Sequence, residues 1–125
     1  MRYLGCHLSA TGGNVAMIKT AESIGANTFA FFTRNPRGSK AKAEDPADAA
    51  LAMELLRAGK FGPLVAHGAY TMNLCTADAD ARDFACSVLC DDLRRMAALP
   101  GQYSPAPAFL AQRYTADTCP VPHVR

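Results

Sequence analysis

The sequence predicts an α/β fold, the first three βα units of a (β/α)8 TIM barrel, incomplete and followed by an irregular C-terminal tail. Three observations predict it. Strand-like apolar runs alternate with helix-length segments three times. The second run, TFAFFT (28–33), is almost continuously apolar, as in a strand buried on both faces of a parallel sheet. After Gly101 the alternation stops where a fourth strand is due. Three parallel strands rarely make a sheet of their own, whereas a barrel of roughly 250 residues is a natural parent architecture.

The first strand is YLGCHLS (3–9), ending at the turn Gly12-Gly13. A helix follows over about 14–24, with Val15, Ile18, Ala21 and Ser23–Ile24 near helical spacing and Gly25 as its stop. After the second strand, a polar loop leads to a helix starting near Asp45. Pro46 suits its first turn, and Ala49, Ala52, Leu55 and Leu56 form its apolar stripe. The third strand is PLVAH (63–67). The third helix runs over about 78–98, with Phe84, Val88, Leu89, Leu93 and Met96 expected on one side. Residues 1–101 thus read as a partial barrel. Half of the eight prolines fall in 102–125, which reads as a Pro-rich irregular tail, because proline cannot donate to a sheet ladder.

Bulk properties exclude little. Half of the 125 residues are apolar and the net charge is +2, which points to no nucleic-acid or membrane partner by itself. No apolar run reaches the roughly 20 residues of a membrane span, and the start of the chain shows no secretory leader. The cysteines at 6, 75, 86, 90 and 119 are odd in number and form no CxxC pair, which fits reduced thiols in a cytoplasm.

Barrel active sites are built at the C-terminal ends of strands and in the loops that follow. His7, Thr33–Arg37 and His67–Tyr70 all fall there. His67 ends the third strand, where an imidazole could ligate a metal, act as a base, or simply satisfy one hydrogen bond in a core. His7 leaves the same choice open, and His123 in the tail has no assigned role. The segment RNPRGSKAK (34–42) carries four cations and no acid, so it could contact phosphates or be a solvated loop. Asn35-Pro36 marks a turn that would present Arg37. Gly12-Gly13 could cradle a phosphate or form a tight βα turn. Tyr70 could stack on bases or pack under its loop. Asp78 and Asp80 suit the first turn of the third helix, and Asp91 and Asp92 read as a solvated face.

Four segments, YLGCHLSATGG, FAFFTRNPRG, HGAYTMNL and DLRRMAALPG, resemble in order and spacing the N-terminal third of endonuclease IV, a family of zinc-dependent apurinic/apyrimidinic (AP) endonucleases. The resemblance runs from Met1 to about Gly101 or Tyr103. It implies a (β/α)8 barrel with three zinc ions at the C-terminal rim, and double-stranded DNA with abasic sites as substrate. It implies that His67 is a zinc ligand and that Arg37 and Tyr70 enter the DNA at the lesion. Thr71 stands where members often carry a larger apolar residue, so the resemblance gives that position no wedge. No ligand role passes to His7. The implied reaction is metal-assisted hydrolysis of the phosphodiester 5′ to the abasic site. Selectivity would come from grip on the backbone and the ease of kinking at the missing base.

Beyond LPG (99–101) the family continues into a histidine-bearing FHPGSH motif, and this chain reads YSPAPAFLAQRY instead. The zinc site is therefore expected to be incomplete and the fragment inactive alone, with a frameshift near codon 103 as the origin of the switch. An intact member is expected to be a cytoplasmic monomer without membrane contact. The alternatives are a non-catalytic DNA-binding remnant, through Arg37, Lys40, Lys42 and Tyr70, or a fragment of a sugar isomerase or epimerase barrel.

Overall fold

The structure is a computed structural model that describes residues 2–97; the expected tail over 102–125, with Cys119 and His123, lies outside them. Three strands, β1 (Gly5–Leu8), β2 (Thr28–Phe32) and β3 (Val65–His67), form one parallel sheet in the order β1-β2-β3. They alternate with helices α1 (Asn14–Ser23), α2 (Pro46–Ala58) and α3 (Ala79–Ala97). A single turn of 3-10 helix, Ala10–Gly12, joins β1 to α1.

The strand register sorts side chains between two faces. Phe29, Phe31 and Ala66 point to one side and bury against Met17, Ile18 and Ala21 of α1, Ala52 and Leu56 of α2, and Met96 of α3. Gly5, His7, Ala30, Phe32, Val65 and His67 share the other side by register. Thr28, Ala30 and Phe32 are only half-buried there. The expectation that β2 is closed on both faces is thereby corrected. All three helices pack on one side, and among the described residues no layer covers the other.

Element ends have local causes. The first strand is shorter than 3–9: at one end Leu4 and Asn27 exchange backbone and side-chain hydrogen bonds, and at the other the Ser9 hydroxyl turns to accept from Thr11 N–H. The third strand starts at Val65 rather than 63, since Pro63 has no N–H to give the ladder; its carbonyl accepts from the Thr28 hydroxyl instead. A Cβ at Gly5 would land on the Thr28 carbonyl, so β1 can lie this close to β2 only without a side chain there. Helix α1 ends in a Schellman arrangement: Gly25, at φ 71°, donates to Glu22 C=O and Ala26 donates to Ala21 C=O. That close turns Ile24 outward, so it does not join the buried stripe as expected. Asp45 caps α2 by accepting from Ala47 and Asp48 N–H, with Pro46 at the first position. Asp78 precedes α3 and accepts from Ala81 N–H as its cap.

Two expectations about α3 change. Its buried stripe is Ala85, Val88, Asp92 and Met96, while Phe84 and Leu93 are exposed. The helix is therefore rotated relative to the side its largest apolar residues define. No helix among the described residues is long and apolar enough to cross a membrane.

The turn into α1 is closed from a distant part of the chain. Asp48, one turn into α2, accepts from Asn14 N–H at 2.7 Å and Val15 N–H at 3.1 Å. Gly13 stands beside it at φ 92°, and a Cβ there would meet the carboxylate at 3.1 Å. Asp48→Ala is expected to lower stability to urea by about 1–2 kcal/mol, the worth of a helix cap. Gly13→Ala is expected to cost about 1–3 kcal/mol in the same titration through backbone strain.

Candidate functional site

At the C-terminal ends of the strands, on the uncovered face, three rings gather around Phe32. Its centroid lies 4.6 Å from His7, 4.7 Å from His67 and 5.4 Å from Tyr70. His67 and Tyr70 are 5.6 Å apart, edge to face, and the two imidazoles are 6.3 Å apart. Parallel register is what brings them together, because Phe32 pairs with His67 and the row below pairs His7 with Ala30. Partial burial, and after it the electrostatic effect of the neighbouring His67, hold His7 below the ordinary imidazole value. His7 is thus favoured as a neutral ring packed on Phe32.

His67 is oriented by its own chain. Its Nδ1 lies 2.6 Å from the Gly68 carbonyl oxygen. A carbonyl can only accept, so Nδ1 carries a proton, and in the neutral ring that leaves the lone pair on Nε2. That is the tautomer a metal-binding or proton-accepting histidine needs. Among the described residues, however, no group of three or more His, Cys, Asp or Glu could hold a metal ion. A zinc site wants at least three protein ligands. The described residues therefore fit one corner of such a centre and not a complete one.

The second and third βα loops meet directly. Tyr70 N–H donates to the Pro36 carbonyl at 2.9 Å, which sets Tyr70 next to the residue preceding Arg37. Asn35 shapes that turn, accepting from Arg37 N–H on its side chain and from Gly38 N–H on its backbone. Arg37 and Tyr70 are both exposed, Tyr70 at 67%. The structure therefore brings His67, Tyr70 and the Arg37 turn to one rim.

The basic loop is not uniformly solvated. Arg34 is 8% exposed and Asp92 3%. The guanidinium donates to Asp92 Oδ1 from Nε at 2.8 Å and Nη2 at 2.6 Å, to Asp91 Oδ2 at 2.7 Å, and to the Ser39 carbonyl at 2.7 Å. Arg95 donates to the same Asp91 oxygen and to the Lys42 carbonyl, both at 2.8 Å. The loop is stapled at Ser39 and Lys42 to α3, and the reading of Asp91 and Asp92 as a solvated face is corrected. Burial works against the Arg34 charge, but its hydrogen bonds to Asp92 and Asp91 outweigh that and raise its pKa. Hydrogen bonds from Arg95, then Arg34, hold Asp91 below the usual carboxylate range. Asp92 Oδ2 and Thr33 Oγ1 are buried without a partner among the described residues.

Sequence reasoning missed this staple, yet a signal existed: Asp92 continues the spacing of Ala85, Val88 and Met96, which is the buried stripe of α3. It also left open whether Gly12-Gly13 cradles a phosphate. The anion at that helix start is the Asp48 carboxylate, on the N–H groups a phosphate would use. Between the first two loops lies a cleft of about 850 Å³, walled by Ser9, Thr11, Asn35, Lys40, Lys42 and Glu44 among others. Lys42 Nζ reaches across it to the Thr11 carbonyl at 3.4 Å.

No protein-family model matches the chain. It is 57% identical over 101 residues to a protein of Akkermansia muciniphila named probable endonuclease 4, covering 81% of this chain and 36% of that protein. It is 53% identical over 103 residues to a protein of the same name from Alkaliphilus oremlandii, covering 82% and 37%. The crystal structure of endonuclease IV from Thermus thermophilus matches with a TM-score of 0.72 at 29% identity, over 78% of this chain and 37% of that one. The chain thus spans about a third of the length of the curated relatives it matches. The resemblance to endonuclease IV that the four motifs carried is borne out.

Two outcomes follow from the staple. Arg34→Ala, which leaves Asp92 buried and unpaired, is expected to cost about 3–5 kcal/mol in a urea titration, whereas Arg95→Ala, facing a half-exposed partner, costs under about 1 kcal/mol. Because the folded-state pKa of Asp91 is depressed, its contribution is present above the unfolded value of about 3.9 and is lost as pH falls below it. The stability gap between the natural chain and Asp91→Asn should be flat near neutrality and close on acidification, as thermal melts across pH will read.

Proposed function

We propose that this chain supplies a DNA-gripping rim and one metal-ligand position of an endonuclease IV-type AP endonuclease, which hydrolyses the phosphodiester 5′ to an abasic site in duplex DNA. The observation that carries the proposal is the 2.9 Å hydrogen bond from Tyr70 N–H to Pro36 C=O. It ties together the backbones of the two loops that carry an exposed guanidinium, Arg37, and an exposed phenol, Tyr70. Arg37 and Tyr70 together suit a gap in a base stack: the cation meets phosphate or base edges, and the ring takes the face of a neighbouring base. Lys40 and Lys42 on the adjoining cleft extend the same rim as phosphate contacts. His67, with Nε2 free, takes the role of a zinc ligand in this reading. Among the described residues no group of three or more such side chains completes a zinc site around it.

Residues 1–101 form the barrel segment in this reading and 102–125 a tail foreign to the family. The lengths of the matches, 101 and 103 residues, support that boundary. A frameshift near codon 103 accounts for it; reading the encoding DNA in the other two frames should reveal an HPG-like continuation. The proposed setting is the cytoplasm, in keeping with free thiols at Cys6, Cys75, Cys86 and Cys90.

A second reading, a DNA-binding piece without cleavage, is favoured by the lack of a three-ligand group among the described residues. Efficient cleavage of abasic duplex by the purified chain with zinc would remove it. For the shared binding step, fluorescence anisotropy with an abasic-site duplex at low salt should give measurable affinity. Tyr70→Ala should weaken it by about 1–3 kcal/mol. Arg37→Ala should lower the slope of log K against log salt by about 1. No binding at low salt sinks the proposal.

A further inference from the structure

Phe32 has no polar side-chain atom to offer a reaction, and it stays outside the core that the helices enclose. That core uses Phe29 and Phe31, whereas Phe32 is half-buried on the opposite face. Yet among the described residues the three shortest ring contacts all belong to it: His7 at 4.6 Å, His67 at 4.7 Å and Tyr70 at 5.4 Å. The planes meet at 47°, 58° and 71°, the inclined and edge-on arrangements in which aromatic rings attract.

The hydrogen bonds at the rim leave work for this ring. One bond from Nδ1 to the adjacent Gly68 carbonyl does not by itself hold the half-buried His67 ring in a single rotamer. The Tyr70 N–H bond to Pro36 fixes backbone and leaves the exposed phenol its own torsions. Phe32 touches both rings, and its own place is set by the ladder, where it pairs in register with His67. A side chain on a paired strand is a firmer reference than one on a loop. We propose that Phe32 is a positioning residue of the rim, whose ring sets the planes of His67 and Tyr70 together and so couples the proposed metal ligand to the proposed DNA contact. The proposal rests on the roles given above to those two residues. The plain alternative is a filler, replaceable by any apolar side chain of similar size.

The test is nuclear magnetic resonance on the full isotope-labelled chain, without metal or DNA. Long-range proton–nitrogen spectra at about pH 8, where an ordinary imidazole is neutral, report which ring nitrogen of His67 carries the proton. The natural chain should show it on Nδ1. Phe32→Leu and Phe32→Met keep apolar bulk but remove the ring. Both should shift His67 toward the Nε2–H form that a free histidine prefers, and move the Tyr70 ring signals toward those of a free tyrosine. Phe32→Tyr, which keeps a ring, should retain both natural signatures. Unchanged His67 and Tyr70 signals in a ring-less variant that circular dichroism shows to be folded would overturn the proposal. So would loss of the fold in both ring-less variants, or a Phe32→Tyr chain that behaves like them. In anisotropy with the abasic duplex, Phe32→Leu should weaken binding about two- to tenfold in the natural chain and add nothing beside Tyr70→Ala. An equal loss in both backgrounds would also overturn it. A chain that binds no DNA counts against the proposed function, and the spectra still decide the role of Phe32.

Discussion

Arg34 is the cation on which the geometry of the rim depends. Its side chain leaves the sheet at the end of β2, crosses under the loop that follows, and divides its donors between α3 and the loop's own Ser39 carbonyl. A guanidinium at this depth would be costly without full pairing, and the Asp91-Asp92 pair supplies it. The loop carrying Arg37 therefore has a fixed underside although its outer surface is polar and exposed. Through the Pro36 carbonyl that rigidity passes to Tyr70 on the next loop.

Charge in the loop is thus divided by task. Arg34 is consumed internally and Arg95 secures the Lys42 backbone from α3, leaving Arg37, Lys40 and Lys42 side chains near solvent. The same division holds among the acids. Asp45, Asp48 and Asp78 each neutralise a helix start, and Asp91 and Asp92 serve the staple. None of these five carboxylates stands beside His67, which is why the imidazole faces its rim with rings as neighbours rather than further ligands.

Sequence periodicity was a good guide to what local forces decide. The order of strands and helices, the Asp45-Pro46 start and the Gly25 stop follow from capping and backbone preference, and they sit within a residue or two of expectation. The convergence of His7, the Arg37 turn and His67–Tyr70 followed from topology alone. What escaped depends on partners far along the chain. Asp92 looks solvated until Arg34, 58 positions away, is placed beside it. Gly12-Gly13 leaves a phosphate cradle and a tight turn open until Asp48, 34 positions from Asn14, occupies the helix start. Phe84 and Leu93 looked like core because periodicity reports that a helix has an apolar side, not which neighbour covers it.

The distant cap on α1 also bears on how the chain acquires its shape. The first helix has no side-chain cap of its own at Gly13, and its free N–H groups wait for a carboxylate carried by the second helix. During synthesis the opening βα segment therefore emerges without its acceptor, and its helix start stays hydrated until residue 48 has cleared the ribosome. Unit one is then not an autonomous folding step, and units one and two order as a pair. Gly13 and Asp48 so act as a latch between successive units, written into the sequence as two separate and ordinary letters.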